Sequence, residues 1–262
     1  MNFRIKDQIK NFSLNRTIET ILFFAIPILI LMVWQRLSDN GMINRSILSS
    51  PKKVYEAFSS YATKGLLVKH LAASFQRVLI GFCIGAGSGL VFGLLAGIFP
   101  KFRASTAAIF GILRPIPMVG LAPLFVLWFG IGELSKVLVI AIGSLWPVLL
   151  NIETGLQSVD KKHLEVARIL KKDKWTVLTK ITLPSSIPYL LTGLRLGLSN
   201  GWRGIVAAEL IGASRGVGYL ISYSRELSQP AVMFLGLFII GFIGIAIDIL
   251  LKHLQGRLLK WA

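Results

Sequence analysis

The chain has 262 residues, a formal net charge of +17, 54% hydrophobic residues and only 16% charged ones. Soluble domains of this size carry about 25% charged residues, and several apolar runs here reach the roughly 18 residues that a bilayer span needs, which argues against a soluble helical core. The positive charge follows from Lys and Arg collecting on cytoplasmic loops; no basic stretch is interleaved with aromatics, so nucleic acid is not an expected partner.

In chain order, the N-terminus carries Arg4, Lys6, Lys10 and Arg16 before the apolar stretch ILFFAIPILILMVW. That run lasts a full span, and QRLSDNG after it offers no small-residue cleavage site, so it reads as a retained first span rather than a cleaved signal. Six spans are predicted, at about Ile18–Gln35, Val78–Phe99, Ala104–Phe129 (interrupted by RPIP), Leu134–Ile152, Ile187–Gly212 and Val232–Leu251. Between the first two, a segment opened by Pro51 reads as an amphipathic helix around KKVYEAFSSYATKGLLVKHLAAS, lying along the membrane surface. Cys83 is the single cysteine and falls within an apolar run, so a disulfide framework or multi-Cys metal site within the chain is excluded. No internal repeat or low-complexity segment stands out.

Basic residues set the orientation. Lys101, Arg103, the Lys and Arg of the 155–185 loop, Lys252, Arg257 and Lys260 share a side with the N-terminal tail. The excess predicts both termini inside, with the loop cytoplasmic. In that loop, EVARILKKDKWTVLTKITLP is polar and amphipathic. Asp160 is a plausible cap for one helix and Asp173 for a second, which Pro184 is expected to stop. Such a stiff helical pair fits either a groove in a partner protein or an anionic lipid surface; the spacing alone leaves both open.

Glu165, Ala167, Ile181, Leu183 and Pro184 reproduce the register of the EAA loop of ABC importer permeases, which has Glu and Ala at its start and I-x-L-P at its end. The blocks HLAASFQRVLIGF, RPIPMVGLAPLFVLWFGIGELSK and TGLRLGLSNGWRGIVAAELIGASRGVGYLI resemble the nitrate, sulfonate, taurine and bicarbonate branch of that superfamily. The resemblance covers roughly Pro51 to the end. It implies an all-α polytopic membrane protein with the type I importer fold and a single permease domain. Residues 1–73 would form the tail, first span and external segment, and 74–262 a five-span core. It further implies that the loop docks into cytoplasmic ATPase subunits, which bind ATP and Mg while this chain binds no cofactor or metal. The expected partners are a second permease copy, two ATPases, an extracytoplasmic solute-binding protein and lipid. One departure stands out: Lys171 occupies a position where the family has Gly, and Lys172 one where it has a small residue. Either the turn stays in right-handed space with Asp173 as the cap, or the partner's groove carries a complementary acidic patch; the second is favoured.

Ionisable groups inside spans are costly and are functional candidates by default. Arg114, with Pro115 and Pro117, is read either as a cation lining a kinked pathway or as a structural kink, with Arg114 paired to a carboxylate such as Glu209 or snorkelling. In the fifth span, Arg195, Ser199 and Arg203 share one helix face, a basic stripe suited to an oxyanion. Arg203 is the favoured substrate contact, and Arg195 is placed nearer the cytoplasm as a loop anchor. Gly193, Gly197, Gly201 and Gly204 predict close helix packing. Glu209 lies on a different face from Arg203. Asp248 and Lys252 have the spacing of an i, i+4 pair. Trp128, Trp146, Trp202 and Trp261 are expected to be packing or interfacial residues.

The chain lacks the Walker A, HExxH and nucleophile-elbow patterns, so no catalytic residue is assigned. A stand-alone secondary transporter would show paired broken helices, whereas only RPIP breaks a span here. A non-transporting assembly protein would not need Arg114 or Arg203. Relatives of this kind carry inorganic or organic anions or neutral vitamin precursors; the basic residues lean towards an anion.

Overall fold

The computed structural model describes residues 22, 24–44 and 47–259. The basic N-terminal tail and Trp261 lie outside the described residues. Helix α1 covers 24–39 and leans on the last helix, with Trp34 edge-on to Phe234 at 5.8 Å. Helix α2 (Pro51–Thr63) starts at Ser50, whose hydroxyl accepts from the Lys53 N–H, and at Pro51, which needs no donor in a first turn. The expected surface helix over 52–74 is not continuous. It breaks at Gly65, whose φ of 66° suits glycine, and its second half opens α3 (Leu66–Ile98), a 33-residue helix about 50 Å long.

Helices α4 (Pro100–Leu113) and α5 (Met118–Phe129) meet at 96°. The expected third span is therefore two rods: Pro115 and Pro117 have no N–H to give, and Pro117 is extended at ψ 136°. Helix α6 (Glu133–Gln157) follows, then α7 (Lys161–Ile169), α8 (Lys174–Val177), a π-turn over Leu178–Thr182 and α9 (Leu183–Leu210). Pro184 does not stop a helix as expected. It sits in the first turn of α9, and the wider π-turn before it leads the chain on without a break. A short helix not foreseen from the sequence, α10 (Val217–Glu226), precedes α11 (Pro230–Leu258).

The predicted spans correspond to α1, α3, the α4–α5 pair, α6, α9 and α11. Helices α3, α6 and α11 are long and apolar enough to cross a membrane, and α4–α5 is a fourth if the bent pair is one span. The 28-residue α9 has the length as well, but Arg195, Arg203 and Glu209 make it less apolar.

The core is α6, gripped from two sides. Lipid tails are as apolar as leucine, so membrane helices associate through close packing, and small residues permit it. Gly81, Gly85, Gly89, Gly93 and Gly97 fall on one face of α3 at four-residue spacing. A Cβ on Gly81 would lie 2.7 Å from that of Ile140, and one on Gly93 2.8 Å from the Leu149 carbonyl oxygen. On Gly85 it would collide with the Ala141 backbone. From the other side, Cβ atoms on Gly193 and Gly197 of α9 would lie 2.9 Å from Asn151 Cβ and from Val148 Cγ2. Gly204 instead faces Met118 of α5. Val139, Ile140, Trp202 and Ile205 fill the core at one end, and Ala86, Val148, Ile152 and Leu156 at the other.

Gly85→Ala forces a backbone shift between α3 and α6 and is expected to cost about 1–3 kcal/mol, the usual range for overpacking. Gly87, whose Cβ would meet nothing within 4 Å, is the matched control. Thermal unfolding in detergent should show a lowered midpoint for Gly85→Ala and an unchanged one for Gly87→Ala.

Candidate functional site

At one end of the bundle, α7, α8 and the π-turn form a stiff platform. Asp160 caps α7 by accepting from the Lys162 N–H at 2.9 Å, and Asp173 caps α8 by accepting from the Thr176 N–H at 3.0 Å. The Thr176 hydroxyl and N–H hold the Asp173 carboxyl below its ordinary pKa. Between the caps, the Lys172 N–H donates to the Ala167 carbonyl and the Lys171 N–H to the Arg168 carbonyl, both at 3.0 Å. That pair of bonds is a Schellman closure, which requires a left-handed residue at Lys171. Lys171 has φ 49°. The turn therefore leaves right-handed space, contrary to one reading of the sequence, while Asp173 does act as a cap.

The loop residues divide by role. Ala167 is buried, and Leu183 packs against the cluster formed by Ala86, Val148, Ile152 and Leu156. Ile181 and Pro184 are half-buried. Glu165, Lys171 and Lys172 face outward. So do large apolar side chains: Ile169 is 78% and Trp175 71% exposed. A groove of about 580 Å³ behind them is lined by Leu156, Leu164, Arg168, Lys172 and Lys174.

Within the membrane region the candidate pathway residues do not converge. Arg114 lines a groove of about 250 Å³ between α4 and α6, with Arg103, Trp146 and Glu153; Pro115 and Pro117 make the adjoining bend. Ser199 and Arg203 line a separate groove of about 380 Å³ between α9 and α11, with Asp248. Asp248 is not held by Lys252: its ion pair is with Arg195 Nε across the helices, at 3.3 Å. Arg195 Nη1 also faces Gln255 Oε1 at 3.4 Å, so Arg195 ties α9 to α11 rather than to the loop. Trp202 is buried, with its indole N–H donating to the Ile240 carbonyl at 2.9 Å. Trp146 packs edge-on to Phe110, and Trp128 is exposed beside Phe125.

Glu209 belongs to neither groove. It is 1% exposed, and its partner is Arg77, not Arg114. Arg77 Nη1 donates to Glu209 at 2.7 Å and to the Arg215 carbonyl at 2.6 Å. Its Nε and Nη2 hold Glu133 in a fork at 2.6 and 2.8 Å, and Lys136 reaches Glu133 at 3.4 Å. The Ser74 hydroxyl donates to Glu209 at 2.8 Å and accepts from the Val217 N–H at 2.9 Å, while the Gly218 N–H donates to Glu209 at 2.8 Å. The carboxylate thus satisfies the Gly218 N–H directly, and Ser74 takes the Val217 N–H, at the start of α10, where the helix dipole favours a negative charge. Gly216, at φ 126°, is required: a Cβ there would collide with the Glu209 carboxylate. Arg77 stood in plain view as a cation within an apolar stretch; its partners come from three other segments, which the sequence does not bring together. Among the described residues no group of three or more His, Cys, Asp or Glu is placed to hold a metal.

An L-residue at a left-handed position is strained by about 1–2 kcal/mol, which glycine escapes, and 1.4 kcal/mol is a tenfold change in an opening equilibrium. Lys171→Gly should therefore slow hydrogen exchange across 161–182 by about tenfold, while Lys171→Val, whose β-branch adds strain at positive φ, speeds it. Equal exchange in the two variants would contradict the Schellman turn.

The comparisons match this architecture. The family model described as "Binding-protein-dependent transport system inner membrane component" matches residues 89–260. A candidate aliphatic sulfonates transport permease, SsuC of Bacillus subtilis (strain 168), is 38% identical over 236 residues, 90% of this chain and 86% of that one. The taurine transport system permease protein TauC of Escherichia coli (strain K12) is 34% identical, covering 88% and 86%. The nitrate import permease protein NrtB of Leptolyngbya laminosa is 29% identical, covering 71% and 67%. Among solved structures, an inward-facing MetNI methionine ABC transporter superposes with a TM-score of 0.64 at 18% identity, covering 75% of this chain and 97% of that one; at that identity the likeness concerns the fold. The chain thus belongs to the inner-membrane components of binding-protein-dependent transport systems, as an ABC importer permease of the nitrate, sulfonate and taurine type.

Proposed function

We propose that this chain is the non-catalytic membrane subunit of an importer for a small anion, driven by separate ATPase subunits that seat on residues 161–182. The observation that carries this is the platform itself. Exposed Ile169 and Trp175 stand on two capped helices joined by a hydrogen-bonded turn, and a soluble surface has no reason to display such side chains unless another protein covers them. Lys171, Lys172 and Lys174 flank the apolar crown, which favours a partner cleft with acidic walls. ATP and Mg belong to the ATPases in this reading. A second copy of the chain and an extracytoplasmic binding protein complete the assembly. The excess of Lys and Arg on the loop side supports placing both termini in the cytoplasm. The anion is favoured by Arg114 and Arg203, cations in grooves of the membrane region, and by relatives named for sulfonates, taurine and nitrate.

Ile169→Cys in a Cys83→Ser background, treated with a short bifunctional cross-linker in native membranes, should capture an ATPase subunit. Ile112→Cys, on exposed α4, should not. The Lys171→Gly, Lys172→Ala pair should weaken ATPase coupling, with a smaller effect in high salt. Purification of the tagged chain alone, with no adduct at Ile169→Cys, would contradict the reading.

A further inference from the structure

The α9–α11 groove holds polar groups that the fold does not use. Ser199 lines the groove and is 9% exposed, and its buried hydroxyl, which a rotamer change could turn into the groove, has no hydrogen-bond partner. Arg203 lines it too and takes part in none of the ion pairs among the described residues. Asp248 completes the polar lining and is already paired to Arg195. In and beside the groove there are therefore two guanidinium groups, those of Arg203 and Arg195, and one carboxylate. An unbalanced cation at bilayer depth is costly. The groove lies deep: Trp202 is bonded to Ile240, about 15 Å along α11 from Pro230.

One negative charge restores neutrality. A second would stand uncompensated beside Asp248, where like charges repel. Arg203 offers charged donors in a planar fork, and the free Ser199 hydroxyl offers one more to the same oxyanion. Gly241 and Gly244 keep the groove open; a Cβ on Gly241 would meet nothing within 4 Å. We propose that this groove is a station for one small monoanion with an oxyanion head, in which Arg203 holds the charge, Ser199 donates a hydrogen bond and Asp248 rejects dianions. The proposal rests on the anion-importer reading and adds to it a site and a charge rule.

The test is equilibrium binding of radiolabelled methanesulfonate and sulfate to the full chain, with any subunits that co-purify, in phosphatidylcholine nanodiscs. Methanesulfonate should bind at least about tenfold more tightly than sulfate, and Arg203→Gln should weaken it by about tenfold, the scale of one charge-assisted hydrogen bond. Ser199→Ala should weaken it by a smaller factor. Gly241→Leu fills the groove without touching the packed core, so it should abolish binding while thermal unfolding stays unchanged. Asp248→Asn should bring sulfate to parity. Wild-type binding by Arg203→Gln and Gly241→Leu, equal or tighter binding of sulfate to the unmodified chain, or no binding of methanesulfonate would overturn the proposal. A tenfold loss on changing the lipid to phosphatidylglycerol that persists when high salt screens the surface charge would also overturn it, by assigning the groove to a lipid headgroup. None of these outcomes touches the cross-link at Ile169, so the site and the importer reading fail separately.

Discussion

Everything in this fold is hung on α6. Water drives helices together in soluble proteins, but inside a bilayer the gain comes from contact itself. The glycines of α3 and α9 bring two helices against α6 with no room for even a methyl group at Gly85 or Gly193. A contact that close has few neighbouring arrangements, because sliding one helix would drive side chains into the backbone of the next. The three helices therefore form a rod. One end carries the capped platform through Leu183, which packs against the cluster of Ala86, Val148, Ile152 and Leu156 on α3 and α6. The far end carries Glu209, about 40 Å away along α9.

The far end is held by charge instead of by close packing. Arg77 joins α3 to Glu133 of α6, Glu209 of α9 and the turn before α10. A buried ion pair is not in itself a source of stability, but removing one partner strands the other. The network ties α3, α6, α9 and the start of α10 to one another at this end of the bundle. It also accounts for Gly216 and for Ser74, which are positioned by the Glu209 carboxylate. Rigid ends and a rigid middle suit the proposed coupling, in which a partner seated on Ile169 and Trp175 would move the spans as one body.

Much of this was legible beforehand, for identifiable reasons. The platform announces itself because a basic, polar stretch inside an apolar chain must face water. Its two aspartate caps could be placed because capping depends on neighbours along the chain. The one face shared by Arg195, Ser199 and Arg203 followed from helix periodicity. What failed required tertiary knowledge or unusual backbone. A single glycine is tolerated inside a helical pattern, so the break at Gly65 was hidden. Pro184 should stop an ordinary helix, yet a π-turn carries the chain past it. Helix α10 is short and half polar, without enough period to be recognised. The spacing of Gly81 to Gly97 shows that one face of α3 is small but not that it meets α6. The partners of Arg77, Glu209 and Asp248 lie far along the chain, and charge alone pairs them in several ways.

The central claim is that the α3–α6–α9 rod joins platform to far end without a hinge. Spin labels at Ser185 of α9 and Val68 of α3, both exposed, in a Cys83→Ser background would report it, with the distance between them measured in the assembled transporter without nucleotide and with ATP trapped by vanadate. The account predicts the same distance distribution in both states. A shift of about one helical turn, about 5 Å, would show that the rod bends or slides, and would contradict the claim.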